Sequence, residues 1–262
     1  MTSLNLITTL SFVFGFVPAL VWLWFWLKED RLNPEPKKMI LKSFLAGGAI
    51  VFLVFVVQNL SLLGLKDLGL NVDLPLEPIK SSSVLISSLL FLVLWAGIEE
   101  IAKFIAAYLV AFRNKSYDEP IDAMMYLIVV AIGFAAVENT LFLFQIGLSG
   151  DSPLAVLMTG NMRFLGATVV HIVSSAVVGG FIALTFFSAS KLKKTGALIL
   201  GLILATILHA GFNFLIINSN GLDMLYIFSS LWVLTILIIY FFERVKNNRR
   251  NPIEIDSKLK TN

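Results

Sequence analysis

Apolar positions run along this chain in long blocks, separated by short polar stretches. Apolar runs of about 18 residues or more recur from end to end, which is the length needed to cross a hydrocarbon core about 30 Å thick. The pattern predicts seven spans, over 4–27, 39–63, 83–112, 121–147, 161–190, 196–217 and 222–242. The first lacks a basic leader and exceeds a signal-peptide core, so it is expected to be a retained helix. Alternating segments of the kind that build a transmembrane β-barrel are absent. The expected fold is all-α: a polytopic membrane bundle of about seven helices. Residues 1–243 would form a single transmembrane domain and 244–262 a basic polar tail.

Composition agrees with that class. The chain is 58% hydrophobic and 14% charged, with a mean hydropathy of +0.87, too apolar for a soluble globular domain. It has no cysteine, which excludes disulfides and thiolate metal sites. A net charge of +3 does not point to nucleic acid, because the cations flank the spans. The expected partners are the lipid bilayer and a membrane protein.

The charges do fix a topology. Sixteen of the twenty Lys and Arg residues fall in alternate inter-span segments, including Lys28, Lys37, Lys38, Arg113, Lys191, Lys193 and Lys194 and six in the tail. Lys66, Lys80 and Arg163 fall on the other side. The positive-inside rule then predicts N-out, C-in. Trp22, Trp24 and Trp26 would mark the inner interface of the first span. Asp118, Glu119 and Asp122 are expected to cap the fourth span and complement its dipole. Lys246, Arg249 and Arg250 are expected to meet anionic headgroups. Segment 148–162, LSGDSPLAVLMTGNM, reads as an outer loop and a candidate lid.

Against this background a few polar residues stand inside the spans. The third carries GIEEIAKF, with Glu99, Glu100 and Lys103; the fourth carries Glu138 and Asn139; the fifth His171; the sixth His209 and Asn213. A charge at the bilayer centre costs roughly 2.5–3.5 kcal/mol on insertion scales, so such residues are functional candidates. Glu99 and Glu100 lie four and three positions before Lys103, on one helix face with it, and His209 and Asn213 share another. At a helical rise of 1.5 Å, the set lies about 20–30 Å from the basic ends of the spans, between the bilayer middle and its outer side. The chain has two histidines, and both fall in this set.

Two neutral imidazoles and a carboxylate make a His₂Glu zinc site with an open fourth position. Zinc lowers the pKa of bound water and polarises a carbonyl. A second glutamate can act as general base, and an amide such as that of Asn213 can donate to an oxyanion. The same residue types could also build a proton relay in a transporter, a bis-histidine haem site, or an interhelical packing network.

Four motifs in order give the chain a resemblance to the PrsW family of intramembrane proteases, within the larger group that includes the CAAX-prenyl endopeptidases. They are EEIAK at 99–103; YDEPIDAMMYLIVVAIGFAAVEN at 117–139, with Phe134 and Glu138 in an F-x-x-x-E pattern before Asn139; His171, preceded by Arg163; and HAGFN at 209–213. Ala123 departs from the glycine expected in the second motif, away from the site. The resemblance implies a hydrolase of the prokaryotic plasma membrane whose catalytic core lies in spans three to six, about 83–217. Its implied substrate is a membrane protein, such as a single-span anti-sigma factor cut on its extracytoplasmic side to start signalling. The catalytic candidates are Glu99, Glu100, Glu138, His171, His209 and Asn213, with Lys103, Asn139 and Arg163 supporting. The metallo reading takes Glu138, His171 and His209 as zinc ligands; a metal-free reading uses a glutamate and a histidine to activate water, with a His/Asn pair holding the oxyanion. In either, Glu99 or Glu100 is expected to activate water, with Lys103 offsetting the repulsion between them. An inactive relative that binds a partner, and a proton-coupled transporter, are the alternatives.

Overall fold

The structure, a computed structural model, describes residues 3–30, 34–67, 82–149, 152–219 and 221–247. Every regular element among them is helical: α1 (Ser3–Glu29), α2 (Lys37–Asp67), α3 (Ser82–Ala107), α4 (Pro120–Leu148), α5 (Pro153–Leu165), α6 (Ala167–Leu184), α7 (Lys191–Ile217) and α8 (Leu222–Asn247). Helix α3 runs on into a π-helical turn, Tyr108–Phe112. Seven stretches are long and apolar enough to cross a membrane, with α5 and α6 together forming one, Pro153–Leu184. The chain is a polytopic helical membrane bundle.

Local signals explain where the helices begin. Pro120 opens α4, where its missing N–H costs nothing, and Glu119 and Asp122 form a reciprocal capping box. The Asp122 carboxylate also accepts from the Asp118 backbone N–H at 2.8 Å. Pro153 opens α5 behind a Ser152 cap, and the Ser190 hydroxyl caps α7 by accepting from the Lys193 N–H. The cations Lys191, Lys193 and Lys194 therefore lie in the first turn of α7, not in a free loop. Segment 148–162, expected as a loop and candidate lid, is mostly helix: α4 reaches Leu148 and α5 starts at Pro153. A further break, at Gly166, separates α5 from α6.

Helix α4 is the axis of the bundle. It is buried along most of its length, with α1, α2 and α6 packed around it. Helices α3 and α7 close one side against α2 and α6, while α8 lies on α6. Between lipid-solvated helices apolar burial supplies little driving force, so close backbone packing matters. A Cβ added at Gly47 would lie 2.0 Å from the Val130 carbonyl oxygen, and one at Gly133 would lie 2.0 Å from that of Phe44. Helices α2 and α4 thus touch backbone to backbone through two glycines. The outer surface is apolar, as at Phe52, Phe55, Leu60 and Ile203, which suits a face solvated by acyl chains.

Two expectations at the basic end change. Trp24 faces outward beneath Lys28 at 5.0 Å, but Trp22 and Trp26 are buried and pack on Trp232 and Phe242 of α8. Lys246 is also drawn inward: its ammonium donates to the Glu29 carbonyl at 2.8 Å and to Glu243 at 2.5 Å. It ties α8 to the end of α1 and is not free for headgroups. Arg249 and Arg250 lie outside the described residues.

Candidate active site

Helix α3 supplies the base of the site. Glu99, Glu100 and Lys103 are all buried, at 3%, 1% and 0% exposure. Three charges can occupy such a place only if each has partners. Lys103 Nζ meets Glu100 Oε1 at 2.6 Å and His171 Nδ1 at 3.2 Å. The Phe134 ring lies 5.4 Å from the same ammonium and 5.3 Å from the His171 ring, which gives the phenylalanine of F-x-x-x-E a physical role as the wall of the cation site.

The two histidines come from α6 and α7. Their ring centroids are 4.7 Å apart and nearly perpendicular. His209 Nδ1 lies 2.8 Å from Glu100 Oε1 and His209 Nε2 lies 3.7 Å from Glu99 Oε2. His171 Nε2 lies 2.9 Å from Glu138 Oε2. These partners assign the ring protons. An ammonium only donates, so His171 Nδ1 accepts from Lys103 and its Nε2–H donates to Glu138. A carboxylate only accepts, so His209 donates from Nδ1 to Glu100, while its Nε2 faces the Glu99 carboxylate at 3.7 Å.

Arg163 and Asn139 complete the outer part. Arg163 donates from Nη2 to Glu138 Oε2 at 2.8 Å and from Nε to Asn139 Oδ1 at 2.5 Å. Asn139 donates to the Thr168 hydroxyl at 2.9 Å. Asn213, one turn beyond His209, is partly buried and makes no side-chain hydrogen bond among the described residues. The candidate residues of spans three to six therefore converge, apart from Asn213, in one connected polar network.

Two members were not singled out by sequence. Gln58 of α2 donates to Glu99 Oε1 at 3.0 Å, and Thr168 receives Asn139. The signal for Gln58 was an amide pair, Gln58 and Asn59, inside the apolar run VFLVFVVQNLSLL. Asn59 is exposed and bonds back to the Phe55 carbonyl, while Gln58 is 4% exposed.

The donor set fits a metal ion. Among the described residues, Glu99, His171 and His209 bring one ligand atom each to within 4.8 Å of one another. Glu138, the third ligand that the metallo reading expects, meets His171 Nε2 at 2.9 Å and Arg163 at 2.8 Å. The Glu99 Oε2 atom is buried with no hydrogen-bond partner, and it faces His209 Nε2 at 3.7 Å. The Glu100 carboxylate behind His209 Nδ1 is the arrangement that orients a ligating imidazole. His171 would exchange its contact with Lys103 or Glu138 for the ion.

Comparison with known proteins agrees with this geometry. Residues 35–242 match the family model described as PrsW family intramembrane metalloprotease. Protease PrsW of Clostridioides difficile (strain 630) is 23% identical over 230 residues, covering 87% of this chain and 84% of the relative. Protease PrsW of Bacillus subtilis (strain 168) is 25% identical over 202 residues, covering 77% and 80%. Protease PrsW of Shouchella clausii (strain KSM-K16) is 31% identical over 133 residues, covering 51% and 56%. No solved structure gives a significant match. With a family match across most of its length and a buried Glu/His centre inside a helical membrane bundle, the chain belongs to the PrsW family of intramembrane metalloproteases, hydrolases acting on membrane substrates within the bilayer.

Proposed function

We propose that this chain is a zinc peptidase in which Glu99, His171 and His209 hold the metal and Glu138 activates the attacking water. The carrying observation is the convergence of those three buried ligand atoms within 4.8 Å. Zinc bound there would polarise the scissile carbonyl and acidify a bound water. The remaining work falls to side chains. Glu138 has the most exposed carboxylate of the three: its side chain is 28% exposed, against 4% for Glu99 and 1% for Glu100. Water activation therefore moves from Glu99 or Glu100, as the motif suggested, to Glu138. Glu138 accepts the water proton as the oxygen bonds to the carbonyl carbon, and returns it to the amine as the C–N bond breaks. Glu100 and Lys103 position His209 and His171. Asn213 supplies an amide toward the developing oxyanion.

The site's placement between membrane helices supports a membrane protein as substrate, with a single-span anti-sigma factor as the specific candidate. The basic ends of the helices support an N-out, C-in orientation, with cleavage toward the outer side. The bacterial relatives support a prokaryotic plasma membrane.

The test is metal content by elemental mass spectrometry in purified wild type and in Glu99→Gln, His171→Ala, His209→Ala and Glu138→Gln, alongside cleavage of a single-span reporter. About one zinc per chain is expected in wild type and Glu138→Gln, with loss in the other three. Cleavage should fall in all four variants. Full cleavage by metal-free wild type would overturn the zinc assignment and leave a glutamate-type peptidase. Zinc lost from Glu138→Gln but kept in Glu99→Gln would exchange the two glutamates' roles.

A further inference from the structure

Helix α5 carries a single charge, Arg163, in an otherwise neutral sequence, PLAVLMTGNMRFL. Its outer face is apolar, with Leu154, Met158 and Met162 exposed. Val156 and Gly160 are buried, and Gly160 packs against the Phe14 side chain of α1. Arg163 continues that inward stripe at helical spacing. A cation turned inward from a lipid-facing helix needs a specific reason. Neutralising Glu138 and complementing the α5 C-terminus would account for a charge there, but a lysine would serve for that.

The contacts ask for more than a charge. The guanidinium spans two adjacent acceptors of α4, Glu138 Oε2 at 2.8 Å and Asn139 Oδ1 at 2.5 Å. It lies over the Phe142 ring at 4.3 Å. Asn139 is itself fixed by Thr168, in the first turn of α6. Glu138 Oε2 is thereby held from two sides, by Arg163 and by His171, while Oε1 accepts no hydrogen bond among the described residues. A planar fork can fix a carboxylate's rotation in a way a flexible ammonium cannot.

We infer that Arg163 is a positioning residue for the peptidase reaction: its two-point clasp on Glu138 and Asn139 ties Oε2 toward His171 and presents Oε1 to the attacking water. This rests on the assignment of water activation to Glu138.

The test uses the full-length protein in detergent, with Arg163→Lys, Arg163→Met and Asn139→Ala, and with Asn139→Ala combined with Arg163→Lys. The readouts are kcat and KM on a single-span reporter, the melting temperature, and the ¹⁵N imidazole resonances, which come from only two histidines. Arg163→Lys should leave KM and melting close to wild type and lower kcat by roughly tenfold or more. Asn139→Ala should lower kcat alone and add little on top of Arg163→Lys, because the second arm is then already lost. Arg163→Met should shift the His171 resonances and leave those of His209 in place. Full kcat in Arg163→Lys would overturn the clasp, as would kcat losses that follow melting temperature with both histidines shifted. If wild type cleaves no reporter, or Glu138→Gln cleaves at the wild-type rate, the assignment of Glu138 fails; the resonances then decide, and an unmoved His171 in Arg163→Met overturns the clasp itself.

Discussion

Adding one methyl group at Gly133 should disturb the site without touching any polar residue. The new Cβ would lie 2.0 Å from the Phe44 carbonyl oxygen and 2.8 Å from its carbon. The obstacle is helix backbone, which cannot rotate aside like a side-chain tip, so α2 and α4 must separate by about 1 Å to reach a tolerable contact. Overpacking of this kind costs roughly 1–3 kcal/mol. The same movement carries Gln58 of α2 away from Glu138 of α4, and with α3 held against α4 it also stretches the 3.0 Å bond from Gln58 to Glu99 of α3, which does not survive an added ångström. Misplacement on that scale can cost on the order of 10²-fold in rate. Gly133→Ala and Gly47→Ala are therefore expected to lower both melting temperature and reporter cleavage. The double variant should cost less than the sum, because the first substitution already opens the gap the second needs. Gly64→Ala in the same α2 is the control: its Cβ meets nothing within 4 Å, so the only effect is the gain in helix propensity, up to about 1 kcal/mol. If Gly133→Ala and Gly47→Ala melt and cleave like Gly64→Ala, the backbone contact does not hold the site and the reasoning fails.

Three further outcomes are expected. Lys103→Met takes the only cation from Glu100, which keeps His209 alone as partner, and leaves His171 Nδ1 without its donor in a fully buried place, so it should destabilise by roughly 3–5 kcal/mol; an unchanged melting temperature would refute the buried ion pair. Gln58→Leu strips Glu99 Oε1 of its donor and should cost about 1–3 kcal/mol, while the isosteric Gln58→Glu should weaken cleavage further by placing a second carboxylate against Glu99; cleavage at the wild-type level in both would remove Gln58 from the site. At the basic end, burial pushes the Asp30 carboxyl up to about 7, and burial also raises Glu35. The folded protein then holds protons that the unfolded chain has released, so stability is greatest below the ordinary carboxylate range, falls as pH rises through it, and levels off above about 7. Melting temperature measured between pH 5 and 8 should fall, and Asp30→Asn should flatten that slope; a slope of the opposite sign would contradict the burial argument.

The fold was legible because lipid makes its demands in one dimension. Span number followed from apolar run length, and the polar set from its scarcity in those runs. What the pattern missed was set by the third dimension. The stretch 148–162 looked like a loop because it lay between two predicted spans, yet Ser152 and Pro153 open a capped helix there. Trp22 and Lys246 looked like interface residues, but α1 and α8 pack against each other and draw them inward. Spacing along a helix showed that Glu99, Glu100 and Lys103 share a face. It could not show that Glu100 would meet His209 Nδ1 while Glu99 faced its Nε2, because that depends on the rotation of α7 against α3.

The polar network has a consequence for how the site forms. Gln58, Glu99, Glu100, Lys103, His209, His171, Glu138, Arg163 and Asn139 are joined through side chains from six helices, α2 to α7. No one helix satisfies its own charges: α3 pairs Glu100 with Lys103 internally, but Glu99 depends on α2 and α7, and Glu138 depends on α5 and α6. Each helix must therefore enter the bilayer carrying polar groups that find partners only when the bundle closes. An unpaired buried charge is costly, whereas its paired form is tolerable, so the network favours one arrangement of helices over shifted alternatives. A one-turn slide of α7 would carry His209 about 5.4 Å along the axis and put Ala205 or Asn213 in place of the imidazole that meets Glu99 and Glu100. The residues that make hydrolysis feasible in the membrane are thus also those that fix the register of the helices around them. The activity and the stability of this bundle should then fail together when a network residue is removed, and separately when a residue at its edge, such as Asn213, is changed.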